Sequence, residues 1–153
     1  MKKKFLKIFY ITCFVSVFSD QISKLFILKT LKKNGEIEIS RFFSFTVVKN
    51  KGVLFGLFNS SYMKIPIIVI SFAVILVILI YALNVSAESK FLLFSLGLIE
   101  GGIIGNLIDR VRFGYVIDFL NFKVWPVFNF GDIFIVVGTF LTIFYQLRRT
   151  NAS

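Results

Sequence analysis

Residues 65–83 read IPIIVISFAVILVILIYAL, a run without a single charged side chain. A helix that crosses the hydrocarbon core of a bilayer needs about 20 mostly apolar residues, and this run supplies them. Working outward, three further runs meet the same test less cleanly. Residues 91–108 are apolar but carry Glu100, residues 130–147 carry Asp132 near their start, and residues 5–28 carry Lys7 early and Asp20 and Lys24 late. With 57% apolar residues and a mean hydropathy of +0.85, the chain is too apolar for an ordinary soluble domain. The expected fold class is an all-α membrane protein, a four-transmembrane-helix bundle forming one domain over residues 1–153. Four spans place both termini on the same side.

The connections differ in kind. Residues 84–90 are short and polar, which makes the helices on either side antiparallel neighbours. Residues 29–64 are too polar to span and too long for a tight link. Within them EIEIS and RFFSFTVVKN have alternating, β-branched character, which predicts short strands, and Asn34-Gly35 supplies a turn before the first. A small β-containing cradle after the first helix is therefore expected. Residues 109–129 are aromatic-rich, with Tyr115 and Trp125, as suits a segment at head-group level. Gly114 and Pro126 prevent one continuous helix there.

The absent residue types narrow the chemistry. The chain has no His, which removes Ser/His and Cys/His nucleophilic sites, HExxH zinc sites and His proton relays. A single cysteine, Cys13, leaves no disulfide and no thiolate metal cluster. Neither a dinucleotide fingerprint nor a phosphate loop is present, so no cofactor and no metal are expected. Acid–base work at neutral pH falls to carboxylates or to a desolvated Lys. The net charge of +10 does not read as nucleic-acid binding, because the Lys and Arg flank the spans, where anionic lipid head groups lie. The N-terminus MKKKFLKIFYITC is basic and then apolar like a secretory signal, but Thr12 is a poor residue before a lipid-modified Cys and no small-residue cleavage site follows. An uncleaved first span is expected.

Ionisable residues inside spans mark candidate sites. Two carboxylates, Asp118 and Asp132, flank the connection between the last two helices and can meet at a membrane edge if those helices lie side by side. Asn129 and Asp132 have the spacing of a helix N-cap and its third residue, which alone favours an acid at 132; an acid at 118 among Val, Ile, Phe and Leu has no such reason. Gly97, Gly101 and Gly105 recur every four residues and form a groove for close helix packing, while Asn106, Asp109 and Arg110 fall on the neighbouring face. Glu100 lies on neither face. Asp20 and Lys24 stand four apart on one helical face, as an interfacial ion pair or as a charged wall to a site. In NKGVLFG, residues 50–56, Gly52 and Gly56 either form a turn or let the backbone approach a ligand, with Asn50 offering a hydrogen bond to a peptide.

Five of these pieces occur in one order: DQISK at 20–24, NKGVLFG at 50–56, GGIIGNLIDR at 101–110, GYVIDF at 114–119 and FNFGD at 128–132. Together they resemble the lipoprotein signal peptidases, the bacterial signal peptidase II family of membrane aspartyl proteases, over nearly the whole chain. The resemblance implies that Asp118 and Asp132 are a catalytic pair. Asn50, Gly52, Asn106, Arg110 and Asn129 would bind substrate or orient the aspartates, and Asp20, Lys24 and Asp109 would be structural or wall the site. It implies a substrate that is a prolipoprotein whose Cys carries diacylglycerol, cut before that Cys with no metal, by a protein expected to act as a monomer. It departs from the family's usual Ala at Leu54 and Gly131 and from an ordinarily apolar position at Glu100, which bears on substrate fit. The resemblance also implies a bacterial inner-membrane location with cytoplasmic termini and extracytoplasmic segments 29–64 and 109–129. Charge does not support that orientation, since more Lys and Arg then fall outside than inside.

Two other readings compete. A Ser/Lys protease would pair Ser23 or Ser19 with Lys24, but adjacent helical positions do not face each other and the two acids stay unexplained. A small cation transporter would use the intramembrane acids, but the spans show no internal repeat.

Overall fold

The computed structural model describes residues 2–52, 64–85 and 89–151. Leu54 and Gly56 lie outside them. The order is α1 (Lys2–Asn34), β1 (Ile37–Ser40), β2 (Phe43–Asn50), α2 (Lys64–Asn84), α3 (Lys90–Phe113), β3 (Val116–Asn121) and α4 (Phe130–Thr150). All four helices are long and apolar enough to cross a membrane.

Helix α3 is the axis of the bundle: α1 and α4 pack against it, and α2 joins it more lightly. Its glycines explain why. A Cβ on Gly97 would lie 2.7 Å from the Phe9 carbonyl oxygen, and one on Gly101 2.7 Å from that of Cys13, so this stripe seats α1. Gly102, one residue off the stripe, does the same for α4, where a Cβ would collide with the Gly131 carbonyl oxygen. Small residues let helix backbones approach closely where lipid supplies no hydrophobic drive. Near the chain termini the bundle closes on Phe9, Ala82, Leu92, Leu93 and Leu96.

Helix α1 runs past the expected residue 28. At 1.5 Å per residue its 33 residues span about 50 Å, well beyond the bilayer core. The extension is held by packing, because Ile27 and Leu31 are buried against Phe119 and Leu120 of β3. Gly35 lies in the turn expected before β1. Its φ of +68° and its N–H to the Leu31 oxygen make it the C-terminal stop of α1. Helix α3 likewise runs past 108 to Phe113, where Gly114 at φ +81° caps it through its N–H to Arg110 O.

The two expected strands form, and β3 completes an antiparallel sheet in the order β1-β2-β3. Sequence reading took 116–121 for an interfacial segment, because VIDFLN is buried on both faces except at its last residue and shows no alternation. The β2–β3 ladder sets Val48 opposite Asp118 and Asn50 opposite Val116. After β3 the chain folds back: Leu120 and Phe128 exchange backbone hydrogen bonds of 2.8 and 3.1 Å. That return delivers Asn129 and α4 beside Asp118.

Glu100 is buried in α3, and its Oε2 has no hydrogen-bond partner among the described residues. A buried polar group left unsatisfied costs about 1–3 kcal/mol, whereas an apolar side chain of similar shape avoids that cost. Glu100→Leu is therefore expected to raise the midpoint of thermal unfolding in detergent, and a lowered midpoint would show that the carboxyl has an unrecognised partner.

Candidate active site

The fold places Asp118 on β3 and Asp132 in the first turn of α4, and asparagines join them. Asn129 is the N-cap of α4: its Oδ1 accepts from Asp132 N at 2.9 Å, and its own N–H donates to Asp132 Oδ2 at 3.2 Å, a reciprocal capping box. Its Nδ2 donates to Asp118 Oδ1 at 2.6 Å and to Asn106 Oδ1 at 3.1 Å. Asn106, on α3, completes the bridge by donating from Nδ2 to Asp132 Oδ1 at 2.9 Å. Asn50 donates to the other oxygen of Asp118 at 2.9 Å. This is a diagonal neighbour contact across the β2–β3 ladder. Each oxygen of both aspartates thus accepts one bond, and three of the four donors are Asn side-chain amides, the fourth being the Asn129 backbone N–H.

Behind the asparagines lies a buried ionic cluster. Lys24 Nζ contacts Asp20 Oδ2 at 2.7 Å, Asp109 Oδ2 at 2.9 Å and Asn106 Oδ1 at 3.1 Å. An ammonium has three N–H groups, and all three are engaged. Asp20 Oδ1 accepts the backbone N–H of Gly131 at 2.9 Å, in the first turn of α4 beside Asp132. An anion there satisfies an orphan helix donor and suits the dipole. Asp109 accepts from Ile117 N at 3.1 Å and so ties α3 to the strand that carries Asp118. Gln21, which sequence reading passed over although it stands inside DQISK, donates from Nε2 toward Asp20, Asp109 and Gly105 O at 3.0–3.2 Å. The Ser/Lys alternative finds no support here, since Ser23 Oγ donates to Asp20 O at 2.7 Å while Lys24 is fully engaged elsewhere.

The two aspartates line one cavity of ≈ 340 Å³ between α2, α3 and α4. Its polar end holds Asn50, Gly52, Asn106, Arg110, Asp118 and Asp132; its apolar end holds Ile103, Ile135 and Val136, with Ser71 of α2. Gly52 is fixed by its N–H to Asn50 Oδ1 at 3.0 Å. Arg110 also lines the cavity, and among the described residues its hydrogen bond is a long one, 3.5 Å from Nη1 to Asn106 O. Asn129 lies wholly buried behind the pair, and Asp20, Lys24 and Asp109 form the next layer. Burial, and then the charge of Asp132, push the Asp118 carboxyl up to about 7 against the opposing hydrogen bonds of Asn50 and Asn129. Among the described residues no group of three or more His, Cys, Asp and Glu has a metal-holding arrangement.

The sequence profile of the signal peptidase (SPase) II family matches residues 12–148. The chain belongs to the signal peptidase II family. Among relatives, the lipoprotein signal peptidase of Halothermothrix orenii is 41% identical over 145 residues, covering 94% of this chain and 98% of that protein. The lipoprotein signal peptidase of Caldanaerobacter subterraneus subsp. tengcongensis is 42% identical over 127 residues, covering 82% and 86%. A bacterial membrane enzyme solved by the in meso method at 2.3 Å shares the fold with a TM-score of 0.84, covering 95% of this chain and 90% of that one at 24% identity. As a signal peptidase II the protein is a protease, and its four apolar helices make it a multi-pass membrane protein.

Proposed function

We propose that this chain is a membrane aspartyl endopeptidase that removes signal peptides from diacylglyceryl-modified prolipoproteins by cutting before the lipidated Cys. One observation carries the reading: Asp118 and Asp132 face one cavity and are joined through Asn129 and Asn106. The substrate class follows from the likeness to lipoprotein signal peptidases. The enzyme would act as a monomer in the bacterial inner membrane, with cytoplasmic termini and the aspartates near the outer face.

Two carboxylates that share a site cannot both ionise cheaply, so the pair retains one proton near neutral pH. The ionised member takes a proton from a water, whose oxygen attacks the scissile carbonyl. The protonated member donates a hydrogen bond to the carbonyl oxygen as negative charge develops there. When the C–N bond breaks, a proton from the pair passes to the leaving amine, and the products are a carboxylate and a new N-terminal Cys. The protons belong to the pair rather than to either residue. Asn106 and Asn129 fix the carboxylates, and Arg110 and Asn50 offer donors to the peptide backbone. No step requires a metal.

Purified protein is to be given a diacylglyceryl-modified prolipoprotein peptide and the same peptide unmodified. Cleavage of the first before its Cys, and of the second far more slowly, is expected. Equal cleavage of both would refute the lipid requirement, and cation flux in proteoliposomes without cleavage would favour the transporter reading. The raised Asp118 carboxyl also sets a pH dependence. As pH rises through about 7 the pair loses its shared proton, so kcat/KM is expected to fall by about tenfold per pH unit above that point. Stability moves in the same direction: the folded state holds a proton that the unfolded chain releases near ~3.9, so this contribution is full below ~3.9 and lost as pH rises through about 7. A flat profile from pH 6 to 9 would contradict the shared proton.

A further inference from the structure

A further cavity, of ≈ 280 Å³, opens where the last turns of α2 and α4 meet the start of α3. It lies at the end of the bundle that carries the chain termini, about 25 Å along α4 from Asp132. Across it Gln146 Nε2 donates to Tyr81 Oη at 3.2 Å, and the ring of Tyr145 stacks on Phe91 with 6.3 Å between centroids. Its polar lining is almost all donor. Arg149 brings a guanidinium with five N–H groups, and no acceptor engages it among the described residues. Tyr81 Oη, having accepted from Gln146, keeps its own O–H to give, and the Tyr145 hydroxyl has no hydrogen-bond partner among the described residues. Ser89, 8% exposed, accepts from Leu92 N at 3.3 Å, and its O–H likewise finds no acceptor there. Asn84 is the remaining polar liner, and its amide already donates to Ile80 O at 2.8 Å. No Asp or Glu lines the cavity among the described residues.

We propose that this cavity binds the phosphate of an anionic phospholipid. Three hydroxyls and a guanidinium around one enclosed space suit an anion with several acceptor oxygens, and the planar fork of Arg matches phosphate with two parallel bonds. Depth selects a lipid as the source. Tyr81 and Asn84 stand at the end of the uncharged run 65–83, and Arg149 follows the apolar run 130–147, so the cavity lies at head-group level. Val85 and Leu92 supply an apolar wall for the glycerol, and Leu83 and Leu147 on the same turns are exposed to acyl chains. A phosphate held there links α2, the helix most lightly joined to the bundle, to α4. Binding to the folded state then stabilises it by mass action.

The full-length protein, in neutral detergent at about 0.15 M salt so that exposed charges are screened, is to be titrated with dioctanoyl phosphatidylglycerol, with phosphatidylcholine of the same chains and with inorganic phosphate. Native mass spectrometry counts bound equivalents, and thermal unfolding, with and without lipid, shows that each variant is folded. One saturable equivalent of the anionic lipid is expected, with a raised unfolding midpoint. Arg149→Gln is expected to weaken half-saturation about tenfold, and Tyr145→Phe, which removes a hydroxyl alone, about threefold. Arg148→Gln removes the same charge from a guanidinium that lies over Phe144, and is expected to stay within about twofold of wild type. Equal weakening by the two arginine variants would show diffuse attraction between charges and overturn the site. So would binding of the anionic lipid that never saturates. Tighter binding of inorganic phosphate than of the lipid would overturn the lipid source, and equal affinity for phosphatidylcholine would overturn the requirement for a net anionic head group.

Discussion

Asp118→Asn and Asp132→Asn are each expected to lower cleavage of a lipidated peptide by about a thousandfold or more while leaving the protein folded. Asparagine keeps the size of aspartate but can neither take a proton from water nor give one to the leaving amine. At 118 it exchanges one acceptor for a donor, so only one of the bonds from Asn50 and Asn129 survives. At 132 it disturbs either the bond from Asn106 or that from the Asn129 N–H. Each loss costs about 1 kcal/mol, too little to unfold a four-helix bundle. Rates under single-turnover conditions, read beside thermal unfolding, separate the chemical defect from the structural one. A folded variant within tenfold of wild type would exclude that carboxylate from the chemistry.

Lys24→Met is expected to be the most damaging change away from the cavity. Lys24 is 2% exposed and neutralises Asp20 and Asp109, 0% and 1% exposed, so its removal leaves two carboxylates buried without a cation. Breaking a buried ion pair from one side costs about 3–5 kcal/mol, because the surviving charge stays desolvated. The damage passes to the site by two routes. Asn106 loses a donor to the oxygen that also meets Asn129, and Asp20 no longer holds the Gly131 N–H with full charge. A lowered unfolding midpoint with a parallel loss of cleavage is expected. An unchanged midpoint would mean that the cluster contributes little to stability.

The four spans were legible because lipid imposes length and composition on a helix directly. The capping relation of Asn129 and Asp132 was legible because it is local, three residues along one turn. Asp118 announced itself by its cost, an acid in an apolar segment. What stayed hidden depends on partners far apart in the chain. Asp20 binds the Gly131 N–H 111 residues away, and periodicity shows which face of α1 is polar but not which helix end it meets. Gly102 stands one residue beside the recurring glycines, and nothing local distinguishes a glycine that seats α4 from those that seat α1. Strand β3 lacked alternation because the cradle and α1 bury it together. Asn106 was legible as a polar residue on a packing helix, yet its position between Lys24, Asn129 and Asp132 is a property of the assembled bundle. The carboxyl of Glu100 has no explanation in the structure.

If Asp118 and Asp132 act as one unit on one water, removing either should cost as much as removing both. The direct test is a cycle of wild type, the two single Asp→Asn variants and the double variant, assayed on the same diacylglyceryl peptide with each protein shown to be folded. Three variants equally inactive, beside an active wild type, is the predicted result. A double variant whose loss equals the product of two smaller single losses would show two independent carboxylates and contradict the dyad.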